Sequence, residues 1–311
     1  HILWGNEIPA DISNEIQESK VLEQPSLYFE NITNCWQGEP ISLWTHLSTR
    51  MTLDNSPILE ETDFVAEFTA MSDGAEVPPP FLPSHQWILE LPNPTMDFLD
   101  NLTLKDAFLK RKTSRQFKRE PVSLEALSCL LFSCFGPIHG TSWADFDDLE
   151  VESLGARRSF PSATGLQGTE VFVMIRSFSG LNPGIYFYDP KEHCLLKVNT
   201  EPSDNDVKLF LGDQFWGKDI AIGFFLVSNM ERVWTKDIKN RGYVVSYLET
   251  GHASQNIQLA AKAFNLDTWI TGSFRDDLLV DLLKLDDTPH FISCFVGIGS
   301  GFNHSIPKGF F

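Results

Sequence analysis

From Leu102 onward the sequence predicts a domain that mixes helices and strands. Two observations point there. Apolar residues recur at helical spacing in several segments, and short, nearly continuous apolar runs of strand length lie between them. A chain of 311 residues, 42% of them hydrophobic, can bury a full core as one large domain or two small ones.

The first hundred residues have a different texture. They are acidic, carry Pro78-Pro79-Pro80-Phe81-Leu82-Pro83 and Leu91-Pro92-Asn93-Pro94, and offer only short candidate elements at Ile12 to Val21 and Phe64 to Met71. Proline clusters end helices and favour extended connectors, so residues 1–97 are read as an accessory region with a proline-rich linker, followed by a domain over 98–311. Leu104, Ala107, Phe108 and Arg111 then have helical spacing. Ser123 and Glu125 open a second helix whose Leu124, Leu127, Leu130, Leu131 and Cys134 share a face, ended near Gly136-Pro137. Glu170 to Arg176 and Gly184 to Asp189 read as strands joined through Leu181-Asn182-Pro183-Gly184, the second alternating Ile185 and Phe187 with Tyr186 and Tyr188. Leu195 to Val198 is expected as an edge strand. Asp219 to Ser228 suits a strand buried on both faces. Tyr243 to Phe264 is the longest helical pattern, with Val244, Leu248, Ile257, Ala260, Ala261 and Phe264 along one stripe. A strand at Thr268 to Thr271, a helix from Arg275 to Leu285 and a strand from His290 to Ile298 complete the series.

Composition narrows the function classes. A formal net charge of -18 argues against general affinity for nucleic acid or an anionic membrane, because both are densely negative. No apolar stretch approaches the roughly 20 residues of a membrane-spanning helix, and no basic segment with an apolar core opens the chain, so a cytoplasmic address is expected. Cys35, Cys129, Cys134, Cys194 and Cys294 show no CxxC or zinc-type spacing; they are read as reduced and mostly buried, and no metal site is expected.

Three places carry chemistry. Arg111, Lys112 and Arg115 put three cations within a few residues at a helix end, with Thr113 and Ser114 hydroxyls between them. Such a cluster can neutralise and hydrogen-bond a phosphate, or it can simply complement the helix dipole in water. Arg157-Arg158-Ser159-Phe160-Pro161-Ser162-Ala163-Thr164-Gly165, running into Val171-Phe172-Val173-Met174-Ile175, makes a proline-fixed turn with small residues where backbone can approach a flat ligand. Downstream lies the segment Arg241 to Asn256.

Together these segments resemble the FMN-dependent nitroreductase superfamily. Arg111-Lys112-Thr113-Ser114-Arg115-Gln116-Phe117 resembles its phosphate-binding opening. Pro161-Ser162-Ala163-Thr164-Gly165 with Glu170-Val171-Phe172, the hairpin Leu181 to Tyr188, and Arg241-Gly242-Tyr243 with Leu248-Glu249-Thr250-Gly251-His252-Ala253-Ser254-Gln255-Asn256 are similar to its SagB-type branch, dehydrogenases that oxidise thiazoline and oxazoline rings in modified peptides. The resemblance covers about Leu102 to Ser300. It implies an α+β fold, an antiparallel-rich central sheet flanked by helices with a long central helix at the interface of a homodimer that binds FMN. It further implies that Arg111, Lys112, Thr113 and Arg115 hold ribityl and phosphate groups. Pro161, Ser162, Ala163 and Thr164, with Gln167 nearby, would approach the isoalloxazine from the partner subunit. Gly272, Ser273 and Phe274 would bring backbone amides near flavin N5, and Lys308 would stand in for a late basic phosphate contact.

Ring oxidation needs a base beside the flavin. Members that oxidise azolines carry a Lys-Tyr pair shortly before the Arg-Gly-Tyr sequence; the matching positions here are Asp237 and Ile238. Lys236 and Lys239 flank them and Tyr243 is close in sequence, so either lysine is a candidate base, against a reading in which both are solvated; Asp237 in a dry pocket is a weaker candidate. His252, in a small-residue helix, is expected to pack or to make a helix-to-helix hydrogen bond. Three functions are compatible with this reading. The first is an FMN-dependent azoline dehydrogenase acting on a peptide or amino-acid unit beside a cyclising enzyme. The others are an NAD(P)H-dependent nitro, quinone or flavin reductase and a non-catalytic scaffold of a biosynthetic complex.

Overall fold

A computed structural model describes residues 39–49, 87–139, 157–235, 240–285 and 288–302, together with Gln37, Pro78, Phe81 and Ile306. The short candidate elements at Ile12 to Val21 and Phe64 to Met71 lie outside the described residues. The chain divides into two compact units, one of residues 1–73 with Lys239–Val244, the other of Gly74–Ile238 with Val245–Phe311. In the first, helix α1 (Pro40–Ser48) starts with proline at its first position, where a missing N–H costs nothing. Its last carbonyl, of Ser48, accepts from the Asn240 side-chain amide, and the Thr49 carbonyl accepts from Arg241.

The second unit is built on seven strands: β1 (Ile88–Glu90), β2 (Thr169–Ile175), β3 (Gly184–Asp189), β4 (Cys194–Asn199), β5 (Ile222–Asn229), β6 (Asp267–Thr271) and β7 (His290–Gly299). They form one sheet in the order β1-β4-β3-β2-β5-β7-β6, and every neighbouring pair is antiparallel. Every residue of β2 and of β5 is buried. Because successive side chains alternate faces, this requires cover on both sides. On one face Val171, Val173, Tyr186, Tyr188, Phe224 and Leu226 pack against helix α3 (Leu124–Phe135) and the long helix α6 (Arg241–Ala260), through residues such as Leu127, Leu131, Ala253 and Ile257. On the other, Phe172, Phe187, Phe225, Val227 and Phe295 meet Val207 and Phe210 of α4 (Asp204–Phe210) and Leu279 and Leu283 of α7 (Asp276–Leu283). Helix α2 (Leu104–Lys110) precedes α3, and the short α5 (Met230–Trp234) follows β5. The result is the α+β nitroreductase-like layering expected from the sequence, an antiparallel sheet between helical layers.

Local signals explain the helix limits. Ser123 Oγ accepts the Ala126 N–H at 3.1 Å and starts α3, and Ser203 with Asp206 forms a complete capping box on α4. At Gly136 a Cβ would lie 2.5 Å from the Phe132 ring, so α3 ends there with room for glycine only. Two expectations need correction. The Cys194–Asn199 strand is not an edge, because Ile88–Glu90, from the proline-rich stretch, pairs outside it. Leu248 does not join the buried stripe of α6; it is exposed, and the buried positions around it are Ser246, Glu249, Thr250, Ala253 and Ser254. The free cysteines Cys129, Cys134 and Cys194 are buried and Cys294 half-buried, as expected, while Cys35 lies outside the described residues.

A neutral histidine ties the hairpin to the rest. His193 turns between β3 and β4 with φ of 47°. Ser128 Oγ on α3 donates to the Pro92 carbonyl at 2.6 Å, so its lone pair is left to accept from His193 Nε2 at 2.8 Å. His193 Nδ1 then accepts from the Tyr188 hydroxyl, also at 2.8 Å. Burial lowers the His193 pKa more than the Pro92 carbonyl raises it, and burial raises that of Tyr188. Below the ordinary histidine pKa of about 6.5 the unfolded chain takes up a proton that the folded chain refuses. Stability should therefore fall as pH drops from 7 to 5.5. The His193→Gln variant should flatten that slope by less than about 1 kcal/mol, since the ring is partly solvated, as read from urea unfolding at both pH values.

Candidate active site

The cationic segment leaves α2 at Arg111, whose N–H still bonds the Ala107 carbonyl at 3.0 Å while its own backbone is extended. The next residues are laid along the outer edge of the sheet. Thr113 bridges Thr268 of β6, Ser114 N–H donates to the Thr268 carbonyl at 2.9 Å, and Phe117 bridges Gly301 beyond β7. Ser114 is fully buried and its hydroxyl donates to the Gln116 carbonyl at 3.2 Å, so the segment is pinned from beneath. Arg111, Arg115 and Lys112 are left half-buried or exposed, and the Arg115 guanidinium stands 5.8 Å from the centroid of the Trp216 ring. Among the described residues no carboxylate pairs with any of the three, in a chain with 42 acidic residues. A helix end that merely complemented its dipole would need only Lys110, which already pairs with Asp106 at 3.7 Å.

Gly272 and Ser273 follow the end of β6 and are exposed; a Cβ on Gly272 would meet nothing within 4 Å. The turn is held from one side by the loop after α4, where Arg275 N–H donates to the Phe210 carbonyl at 2.8 Å and Arg275 pairs with Asp213 at 2.7 Å.

The second small-residue turn contains a 3-10 turn at Ala163–Gly165, preceded by exposed Pro161 and followed by buried Gln167. Ser162 Oγ accepts the Gln167 N–H at 2.8 Å, and Gln167 adopts a left-handed φ of 52°. Four buried charges hold its downstream end. Arg232 on α5 donates to the Gln167 carbonyl at 3.2 Å, and Arg158 donates to the Thr169 carbonyl at 2.5 Å. Glu249 on α6 accepts the Thr169 N–H at 2.8 Å, and Glu170 accepts from Phe81 N–H and Asn229 at 2.9 and 3.1 Å. Burial pushes Arg158 down to about 10 and also lowers Arg232, and in both Glu249 and Glu170 oppose the shift. At about 10, Arg158 stays charged at neutral pH. A small cleft beside this turn is lined by Ala163, Leu166, Gly168, Thr169, Ser246 and Glu249.

Arg232 and the carboxylate roles of Glu170 and Glu249 were not anticipated from sequence. The one available signal was a glutamate opening the otherwise apolar run Val171 to Ile175. His252 is exposed on α6 and does not pack as expected. Tyr243 is exposed in the first turn of α6, within the first unit, and the Thr164 backbone lies in the 3-10 turn. Lys236, Lys239 and Lys308, with Asp237, lie outside the described residues.

The sheet register shows how the two turns are disposed in one chain. Thr113 lies beside Thr268, which is level with Ile298 and Ile222. Gly168 and the turn before it are anchored to Asn229, next to Ser228 at the other end of β5. From Ile222 to Ser228 the strand runs about 20 Å. The cationic segment and the Pro161–Gln167 turn thus occupy opposite ends of the central strands, and Gly272 follows Thr271, opposite Phe295, part-way between. Among the described residues no helix is long and apolar enough to cross a membrane.

Removing one member of the buried charge set leaves its partners uncompensated. Glu249→Ala is expected to destabilise the fold by about 3–5 kcal/mol in chemical unfolding, and Glu249→Gln, which keeps an acceptor for Thr169, by clearly less.

Comparison with known proteins agrees with this architecture. A protein of Methanocaldococcus jannaschii named as a nitroreductase is 26% identical over 191 residues, 61% of this chain and 89% of that protein. A Ralstonia eutropha structure named as a nitroreductase superposes with a TM-score of 0.55 at 22% identity, covering 74% of this chain and 99% of its own. A chain of the E. coli microcin synthetase complex superposes with a TM-score of 0.52 at 18% identity, covering 91% of this chain and 100% of its own. The nitroreductase family itself matches residues 109–300, most of the chain, and the chain belongs to that family of oxidoreductases.

Proposed function

We propose that the chain is an FMN-dependent dehydrogenase that oxidises a peptide-derived thiazoline or oxazoline, or a related amino-acid unit, in natural-product biosynthesis. The observation that carries the flavin part is the set of three cations, Arg111, Lys112 and Arg115, held on a pinned segment with no carboxylate partner among the described residues. They suit a phosphate, with Thr113 and Lys308 as further contacts. The open backbone at Gly272 and Ser273 suits the close approach of a planar ring. The two turns lie at opposite ends of the strands, which supports a site completed by a second copy of the chain. In it Pro161, Ser162, Ala163, Thr164 and Gln167 of one protomer would face the cationic segment of its partner. The azoline part rests on the ordered motifs of the SagB-type branch in this sequence, from Pro161-Ser162-Ala163-Thr164-Gly165 to Leu248 to Asn256. Residues 1–97 would serve as an accessory region that engages the peptide or a cyclising partner in a cytoplasmic complex.

Bound FMN supplies a two-electron acceptor at N5, so that a C–H of the five-membered ring leaves as hydride while a neighbouring carbon gives up a proton. The chain must hold that ring against the flavin and take the proton. Lys236 or Lys239 is the proposed base and Tyr243 its polar neighbour; a lysine in a site closed to water loses its own proton more readily and can accept one from carbon. The product is an aromatic azole, two hydrogens poorer than the substrate.

Purified protein should be yellow and release FMN on denaturation; a colourless protein that cannot be reconstituted overturns the flavin reading. Arg115→Ala should weaken FMN binding by about ten-fold or more, measured by flavin fluorescence, since a charged hydrogen bond to phosphate contributes about 1.5–3 kcal/mol. Of Lys236→Ala and Lys239→Ala, one should lower azoline oxidation by about 100-fold or more with FMN content unchanged. Unaltered rates in both would remove the lysine base, and bleaching by NADPH with no turnover of azoline peptide would favour a reductase.

A further inference from the structure

We propose that Gln214 is a positioning residue that sets the Thr271–Ser273 turn for the flavin, an inference that rests on the FMN reading above. The side-chain amide of Gln214 bridges two carbonyl oxygens, donating to Leu211 O and Ser273 O, each at 2.7 Å. Both N–H bonds are thereby committed. The Thr271 hydroxyl is 3.2 Å from both Gln214 Nε2 and Oε1; with both N–H bonds taken by the shorter carbonyl contacts it donates to Oε1, and its lone pair accepts the Ser273 N–H at 3.0 Å. This circuit fixes the orientation of the Gln214 amide, because the reverse would set an oxygen against two carbonyls. It also occupies the Ser273 N–H and leaves the Gly272 amide outside the clamp, at the position where a Cβ would meet nothing. Gly212, at φ +62°, brings the Gln214 loop so close that a Cβ there would stand 3.2 Å from the Ser273 carbonyl. The Gly272 N–H is then the donor preset for the flavin ring, whose hydrogen bonding changes between its oxidised and reduced forms.

The test uses the FMN-loaded protein, with FMN affinity and midpoint potential followed from pH 5.5 to 8. Gln214→Met and Thr271→Val should each change the ratio of affinities for reduced and oxidised FMN by about five- to ten-fold, seen as a shifted potential. Thr271→Ser should restore the wild-type ratio. Gln214→Glu should be the worst variant at pH 8, where its carboxylate faces two carbonyls. It should recover as pH falls and the carboxyl gains a proton to donate, whereas Gln214→Met shows no such recovery. Unchanged potential and affinity in Gln214→Met and Thr271→Val would overturn the proposal, even if either variant were less stable. Wild-type protein that holds no FMN would instead refute the flavin reading, and this inference with it.

Discussion

Burial of β2 and β5 on both faces is the constraint on which the rest of the structure depends. An antiparallel strand with no solvated face needs a helical layer on each side, and it tolerates no slip in register, since a shift of one residue would exchange every side chain between two differently shaped cores. The tight fits reflect this. Gly223 of β5 leaves room for the Phe295 ring, 2.6 Å from where a Cβ would be, and Gly297 of β7 lies under Ile220 in the same way. With register locked, each strand end has a determined position. The cationic segment, the turn after β6 and the Pro161–Gln167 turn are each attached to a strand end or to the sheet's outer edge.

The attachments differ in kind. The cationic segment is joined by a backbone hydrogen bond to β6 and by a buried serine, which costs little because its N–H and its hydroxyl are both paired. The Pro161–Gln167 turn is joined through charges taken out of water, an arrangement that is expensive unless each charge is met. Here two arginines and two glutamates balance in number, and the carbonyls of Gln167 and Thr169 each take one arginine donor, while Arg158 Nε, Arg232 Nε and Glu170 Oε2 have no hydrogen-bond partner among the described residues. Such a set stabilises one geometry more than it stabilises the fold as a whole. It holds the small residues of this turn in a definite position.

The Gln214 loop and the turn after β6 are held to each other, through a neutral amide, a hydroxyl and a salt bridge at the surface. The N-terminal side of the sheet is closed differently. A three-residue strand from a proline-rich stretch covers β4, which blunts an edge that would otherwise present unpaired backbone groups.

Sequence by itself determined the order of strands β2 to β7 and of helices α2, α3, α6 and α7, because these follow from local chemistry: apolar periodicity, a capping serine at 123 and glycine at 136; the short helices α1, α4 and α5 were not read from it. It also marked the cationic segment and the small-residue turn, whose residue types stand out in an acidic chain. It could not assign Ile88–Glu90 to the sheet, since a three-residue strand has no periodicity to read and its partner lies a hundred residues away. Nor could it separate buried Glu249 from exposed Leu248 in α6, where position relative to the cores outweighs hydrophobicity. Arg158, Glu170, Arg232 and Glu249 come from four segments far apart in the chain, and Gln214 reaches a turn nearly sixty residues on. Only tertiary structure decides such meetings, because what selects them is the shared need to satisfy buried polar groups, and that need exists only once the layers have closed.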